Sequence, residues 1–295
     1  MNESKTISIV CICDNHYAIL MAALLKSIEV NHSSNEKIEF FIVEDKISKI
    51  NREKVTSSIV SPLITIHWLK MDACLPKGYK LPVDKSSLPL NIYVRLFIPH
   101  FIPDSVEKVI FLDVDMIMLE DVARLWNIDL GENIVAAVQD QFIQIVSRWG
   151  GLANYQSLGL ASDTKYFNAG LMVIDMKKWK NSKITDEVIS VISKYKEHAL
   201  FQDQYGLNVV LANKWLQLDP LWNRFAYSEE KCPFLIHFTG RKPIYKTYEF
   251  SEAYKNIFYT YLNQTPWKNF EPISETQRYF KKFKNFVGKI RNLLK

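Results

Sequence analysis

Residues 109–119 read VIFLDVDMIML, an apolar run interrupted by two carboxylates, Asp113 and Asp115, one residue apart. A run of this length and composition has the pattern of a buried strand. An unpaired carboxylate inside such a strand is expensive to desolvate, so a pair at its carboxyl end calls for a cation. Hard divalent ions such as Mg2+ and Mn2+ take oxygen ligands, which an Asp-x-Asp at the mouth of a sheet supplies. Open α/β sheets bind ligands beyond the carboxyl ends of their strands, where this pair is expected to lie. The plainer alternative is that the two aspartates cap the turn that follows.

The rest of the chain supplies the sheet. ISIVCIC (7–13), IEFFIVED (38–45) and ITIHWL (64–69) read as strands. They alternate with a helix that begins near Ala18 and a mixed-charge helix over 46–60. Strand–helix–strand–helix–strand is the opening of a parallel, nucleotide-binding α/β sheet. The Pro-containing segment 75–89 reads as a loop long enough to be a flap, and 91–102 as a helix ending near Pro99. After 109–119, a short helix (121–128) precedes a strand, 133–140, that ends in Asp140. Residues 141–165 are irregular. An apolar strand then follows Asn168-Ala169-Gly170, whose small residues allow close approach of a ligand. Helices are expected at 184–198 and 203–213, with Asp203 and Gln204 opening the second and Asp203 suited to a cap. Strands at 215–219 and 234–240, the latter carrying His237, lead to a last helix over 249–263. Alone, His237 reads more readily as a core histidine than as a ligand.

Composition excludes several classes. With 48% hydrophobic residues among 295, the chain suits a globular domain with a sizeable core. No apolar stretch approaches the roughly 18–20 residues that span a bilayer. MNESKT leads straight into the first strand and carries no signal-peptide pattern. Cys11 and Cys13 alternate within a strand, which points to core packing and a reducing cytoplasm. The net charge of +5 is concentrated: residues 276–295 hold seven basic side chains and no acidic one, leaving −2 for the remainder. That distribution argues against a nucleic-acid-binding body. From Tyr279 onward, aromatic and aliphatic residues recur at helical spacing between lysines and arginines. This pattern suits a basic amphipathic helix lying on an anionic membrane surface, or else a helix packed on the domain. Residues 1–265 are read as the catalytic domain and 266–295 as the tail. The expected location is the cytoplasm, peripheral on the inner face of the membrane.

Six segments occur in a fixed order: ISIVCICDNHYA, LNIYVRL, FLDVDMIML, FNAGLMVIDMKKW, FQDQYGLN and HFTGRKP. Together they resemble the family 8 retaining glycosyltransferases, which include bacterial lipopolysaccharide α-galactosyl- and α-glucosyltransferases and, more distantly, glycogenin. The resemblance implies a GT-A type nucleotide-diphospho-sugar-transferase fold, a mostly parallel sheet flanked by helices and followed by the helical tail. It implies transfer of galactose or glucose from a UDP-sugar to a glycan or glycolipid acceptor such as lipopolysaccharide.

By the same resemblance, Asp113, Asp115 and His237 would hold Mn2+ (or Mg2+), leaving positions for two phosphates. Ile12, Asp14 and Tyr17 would form the uridine pocket, with Tyr17 stacking on the base. Arg95 and Val114 would lie near the nucleotide-sugar. Gly240 and Lys242 would wrap the diphosphate, here with only Arg241 between them, where some members have two residues. Asn168, Asp203 and Gln204 would hold the donor sugar, and Asp140 would line the sugar and acceptor side. Retention of configuration asks for a nucleophile beneath the anomeric carbon. Gln204 falls there and is a poor one, while Asp203 is a carboxylate committed to sugar hydroxyls. A front-face displacement, needing neither, is preferred.

Two other readings follow from the same residues. Asp-x-Asp after a strand also marks haloacid-dehalogenase-type phosphatases, but those place the pair after the first strand with Thr or Val two positions beyond it. Here Ile117 stands there and the pair falls late. The second is a non-catalytic nucleotide-sugar or membrane-surface binding protein, against which the intact Asp113/Asp115/His237 set argues.

Overall fold

The computed structural model describes residues 6–76, 78, 79, 81 and 90–277. The amphipathic repeat from Tyr279 onward and residues 77, 80 and 82–89 of the expected flap lie outside these. A seven-stranded sheet contains β1 (Ile7–Asp14), β2 (Ile38–Asp45), β3 (Ile64–Lys70), β4 (Lys108–Leu112), β6 (Val135–Gln139), β7 (Phe167–Asp175) and β8 (Trp215–Gln217). Its order is β3-β2-β1-β4-β7-β6-β8. Every neighbouring pair is parallel except the two made by β7, which runs against β4 and β6. A second sheet of three short strands, β5 (Met116–Met118), β9 (Arg224–Phe225) and β10 (Leu235–His237), lies in the order β5-β10-β9.

The apolar runs explain the large sheet. β1 is buried along Ile7–Cys11 and β7 along Phe167–Ile174, as expected of strands covered on both faces. The helix Ala18–Asn31 is buried from Ala18 to Ile28 rather than along one stripe. Met21, Ala22 and Leu25 join the core of the large sheet, while Ile19, Leu20 and Ala23 join a cluster with Phe258 and Leu262 of the helix Glu252–Leu262. A helix apolar all round is one packed on several sides. Burying each such Leu or Ile contributes roughly 1.5–3 kcal/mol. Beyond the last helix, Ile273 N–H donates to the Ile244 carbonyl at 2.8 Å, so the chain is still held to the body at that point.

The structure departs from the sequence reading in four places. The expected single strand over 109–119 is two, β4 and β5, belonging to different sheets. Asp113 N–H still bonds the Gly170 carbonyl of β7 at 2.8 Å, whereas the Asp115 carbonyl accepts from Phe238 beside β10 at 2.8 Å. The chain changes sheets between the two aspartates. The expected helix over 91–102 is a 3-10 turn, Leu90–Phe97, followed by a short helix, Ile98–Phe101. Pro99 sits in that helix's first turn, where its missing N–H costs nothing, and so opens a helix instead of closing one. Asn168-Ala169-Gly170 lie inside β7, not before it. Asp203 is not at the cap position, which Phe201 holds: it lies one residue inside the helix Gln202–Val210, and its carboxylate faces Arg95 as well as the first amides of the helix.

Candidate active site

The strand order turns around at β1, with β2 and β3 on one side and β4 on the other. Such a reversal opens a crevice at the strands' carboxyl ends. Asp14 ends β1 there, and Asp113 follows β4. The chain bends at Val114 and Asp115 as it passes from one sheet to the other, and Val114, between the two aspartates, is buried in the apolar core.

Asp113, Asp115 and His237 each offer a ligand atom within 4.8 Å of the others. His237 comes from β10, which pairs with β5 through His237 opposite Met116. Its Nε2 lies 3.3 Å from Asp115 Oδ1, and its Nδ1 is 2.9 Å from Asn223 Oδ1. Asn223 is held in turn: its Nδ2 donates to Asn168 Oδ1 at 3.0 Å, which turns its oxygen toward the imidazole. Asn223 Oδ1 is thus placed to accept the Nδ1 proton, and Nε2, which contacts Asp115 here, is the atom left to ligate a cation, the arrangement of a metal-binding histidine. A Cβ on Gly170 would stand 2.7 Å from His237 Cε1 and 2.9 Å from Asp113 Oδ2, so only glycine leaves this space open. Burial pushes the Asp113 carboxyl above its ordinary value despite Arg95, with Asp115 adding to the shift. For Asp115 the effect of burial is outweighed by Lys242 and His237, which hold it well below the usual carboxylate range. The donor set of two oxygens and one nitrogen, with its supporting amide, fits a divalent cation.

Arg95 joins this cluster to the cavity. It donates from Nη1 to the Ala169 carbonyl at 2.8 Å and lies over the Phe111 ring at 4.6 Å. Its Nη2 is 3.2 Å from Asp113 Oδ1, and its Nε is 2.9 Å from Asp203 Oδ2. That last contact is an ion pair without hydrogen-bond alignment, since the same oxygen has no hydrogen-bond partner. Burial, with Asp113 adding to it and Arg95 opposing, pushes the Asp203 carboxyl up to about 6. Gln202, just before it, holds a left-handed backbone (φ +35°), and Tyr93 O–H anchors its side chain at 2.6 Å. Strain of this kind persists only where surroundings over-determine it, and it aims Asp203 and Gln204.

The cavity, about 700 Å3, is lined by Arg95, Asp113, Asp140, Asn168, Asp203 and Gln204 among others. Gln204 Oε1 accepts from Ala169 N–H at 2.9 Å and lies 3.4 Å from Asn168 Nδ2. Asp140 accepts three hydrogen bonds, on Oδ1 from the Phe142 and Ile143 amides, both at 2.9 Å, and on Oδ2 from Asn168 at 3.0 Å. Lys242 donates to Asp115 and to the Phe238 carbonyl. Arg241 pairs with Glu275 at 3.2 Å and lies over Tyr245. Gly240 has φ +73°, and a Cβ there would lie 2.8 Å from the Tyr227 hydroxyl.

Ile12, Asp14 and Tyr17 do not line this cavity. They sit at the β1 end, where Asp14 Oδ1 accepts from the His16 and Tyr17 amides at 2.9 Å, and His16 reaches the Tyr245 hydroxyl at 2.5 Å. Cys11 and Cys13 are buried and free, with burial raising both thiols.

Sequence reasoning missed Asn223, 1% exposed, and Gln141, which donates to the Asn223 carbonyl at 3.1 Å. The one signal was an amide set between apolar residues in PLWNRF, which is not specific enough to find it.

The crevice at the switch point, the mixed seven-stranded sheet and the second small sheet are those of a GT-A fold glycosyltransferase. The sequence model of glycosyl transferase family 8 matches residues 8–244, and the chain belongs to that family. It is 25% identical to General stress protein A of Bacillus subtilis (strain 168) over 288 residues, 90% of this chain and 96% of that protein. It is 24% identical to lipopolysaccharide 1,2-glucosyltransferase of Escherichia coli (strain K12) over 300 residues, covering 92% and 82%. The fold matches that of the galactosyltransferase LgtC, solved with donor and acceptor sugar analogues, at a TM-score of 0.72 and 24% identity, over 88% of this chain and 96% of that one. Some matched proteins are longer, and the chain spans 31% to 64% of several of them.

Proposed function

We propose that this glycosyltransferase is a metal-dependent, retaining hexosyltransferase that moves galactose or glucose from its UDP derivative to a glycan acceptor such as lipopolysaccharide. The observation that carries the reading is the Asp113–Asp115–His237 cluster beside the cavity that Arg95, Asn168, Asp203 and Gln204 line. Relatives named for glucosyl and galactosyl transfer support the choice of sugar. Asp113, Asp115 and His237 would hold a divalent cation, Mn2+ with Mg2+ as the alternative, which would supply Lewis-acid stabilisation of the charge on departing UDP.

The chain's own residues do the rest. Ile12, Asp14 and Tyr17 hold the uridine at the β1 end. Lys242 adds a point charge to the diphosphate, and Gly240 lets backbone approach it. Asn168 and Asp203 orient the donor hexose, and Arg95 offsets the carboxylates that crowd it. Gln204 has its side-chain oxygen occupied by the Ala169 amide, and Asp203 stands against Arg95. Neither is a free nucleophile, which favours the front-face route. The leaving phosphate oxygen takes the proton of the incoming hydroxyl, and the site contributes orientation and electrostatics. Among the described residues no helix is long and apolar enough to cross a membrane. The basic, aromatic tail over 266–295 holds the enzyme on the anionic inner face of the cytoplasmic membrane.

The test is Asp113→Asn with vesicle binding measured alongside. Transfer and UDP release are lost while binding to anionic vesicles is kept. A chain ending at 277 shows the converse. Transfer surviving in Asp113→Asn removes the metal assignment.

A further inference from the structure

A second cavity, about 480 Å3, adjoins the first and shares Asp140, Phe142 and Tyr227 with it. Both volumes fall within the roughly 300–1,000 Å3 of small-molecule sites. The shared wall is a ridge of two aromatic rings, Phe142 and Tyr227, edge to face with centroids 4.9 Å apart. They are 60% and 41% exposed, and Trp149, on the rim of the first cavity, is 86% exposed. Exposed apolar side chains gathered beside a reaction cavity mark a ligand surface. Flat rings offer apolar faces to the C–H faces of sugar rings.

Beyond the ridge the chemistry changes. The second cavity is lined by Gln139, Gln141, Gln144, Arg224 and Ser228. Amides, a hydroxyl and a guanidinium can donate to and accept from sugar hydroxyls on every side. Arg224 is part-buried, donates from Nη2 to Ser228 at 3.2 Å and pairs with Glu230 at 3.4 Å.

We infer that the acceptor is an oligosaccharide of at least two units, bound across the Phe142–Tyr227 ridge. The unit carrying the reacting hydroxyl sits in the first cavity, and its neighbour occupies the groove of Gln139, Gln144, Arg224 and Ser228. This deepens the proposed function and rests on it. The ridge explains why the two rings stay exposed: each stacks on one side of the glycosidic link. It also assigns acceptor length to the segment 139–144 together with residues 224–228, apart from the groups that hold the donor.

The experiment compares methyl hexosides with disaccharides that end in the same hexose, using the UDP-sugar whose UDP release the protein catalyses. The expected result is that at least one disaccharide exceeds its methyl hexoside by about tenfold or more in kcat/KM, a difference of about 1.4 kcal/mol. Gln144→Trp and, separately, Ser228→Trp fill the groove from exposed positions and bring that ratio close to one. Because the ratio is taken within each variant, a general loss of activity cancels. A wild-type protein that releases UDP and favours no disaccharide overturns the inference, as does a ratio that survives both variants. A protein releasing UDP from no donor removes the proposed function first, and this inference with it.

Discussion

Lys242 and His237 meet on one carboxylate. The Lys242 ammonium donates to Asp115 Oδ2 and to the Phe238 carbonyl at 2.7 Å, while Asp115 Oδ1 lies 3.3 Å from His237 Nε2. A cation bound by Asp115 and His237 therefore competes with the ammonium for the same group. Lys242→Met removes the competitor. Calorimetry without nucleotide is expected to show Mn2+ binding about tenfold more tightly, a gain of about 1.4 kcal/mol. UDP binding weakens in the same variant, because the diphosphate loses a positive partner. Unchanged Mn2+ affinity would mean the contact has no bearing on the metal.

Asn223 Oδ1 is placed to accept the imidazole Nδ1 proton. Removing such an outer partner typically costs 10–100-fold in metal affinity. Asn223→Ala is expected to lose about that much Mn2+ affinity, and Asn168→Ala less, because Asn168 acts through Asn223. Equal effects would show that the network does not transmit through Asn223.

Gly170 leaves room for the ligand atoms. In Gly170→Ala the new methyl lies 2.7 Å from His237 Cε1 and 2.9 Å from Asp113 Oδ2, so the ligands must part. The variant is expected to fold, with Mn2+ affinity reduced more than UDP affinity measured in EDTA. Circular dichroism and calorimetry read the two.

The Asp203 carboxyl, pushed up to about 6, is protonated below that pH and loses its charge opposite Arg95. The rate profile, kcat/KM against pH, is expected to fall on the acid side with an apparent pKa near 6. Asp203→Asn is less active throughout and lacks that limb. Stability moves in the opposite sense. The folded value exceeds the unfolded one of 3.8, so the folded state binds the extra proton between about 4 and 6. Relative to Asp203→Asn, the wild type loses stability as pH rises through that window, by up to about 1.4 kcal/mol per pH unit. Denaturant midpoints at three pH values check the sign.

β1, β2, β3 and β6 were legible because each is an apolar run closed by an acid or a turn. The Asp113/Asp115 pair was legible as a candidate site because carboxylates at the end of an apolar run demand a reason, and the structure brings His237 beside them. The split of 109–119 was not, since apolar periodicity is the same whichever sheet a residue joins. The small sheet was hidden for a related cause: β5, β9 and β10 are two or three residues long and meet only after folding. His237 carried no local signal, and only its place in a resemblance raised it above a core histidine. Asn223 and the strained Gln202 had neither pattern nor motif.

The measurement that tests the central claim most directly is UDP release from a set of UDP-sugars, with Mn2+ present and with EDTA in its place. The account predicts slow release from UDP-galactose or UDP-glucose that EDTA abolishes and Mn2+ restores. Release indifferent to EDTA, or no Mn2+-dependent binding of UDP by calorimetry, would contradict it.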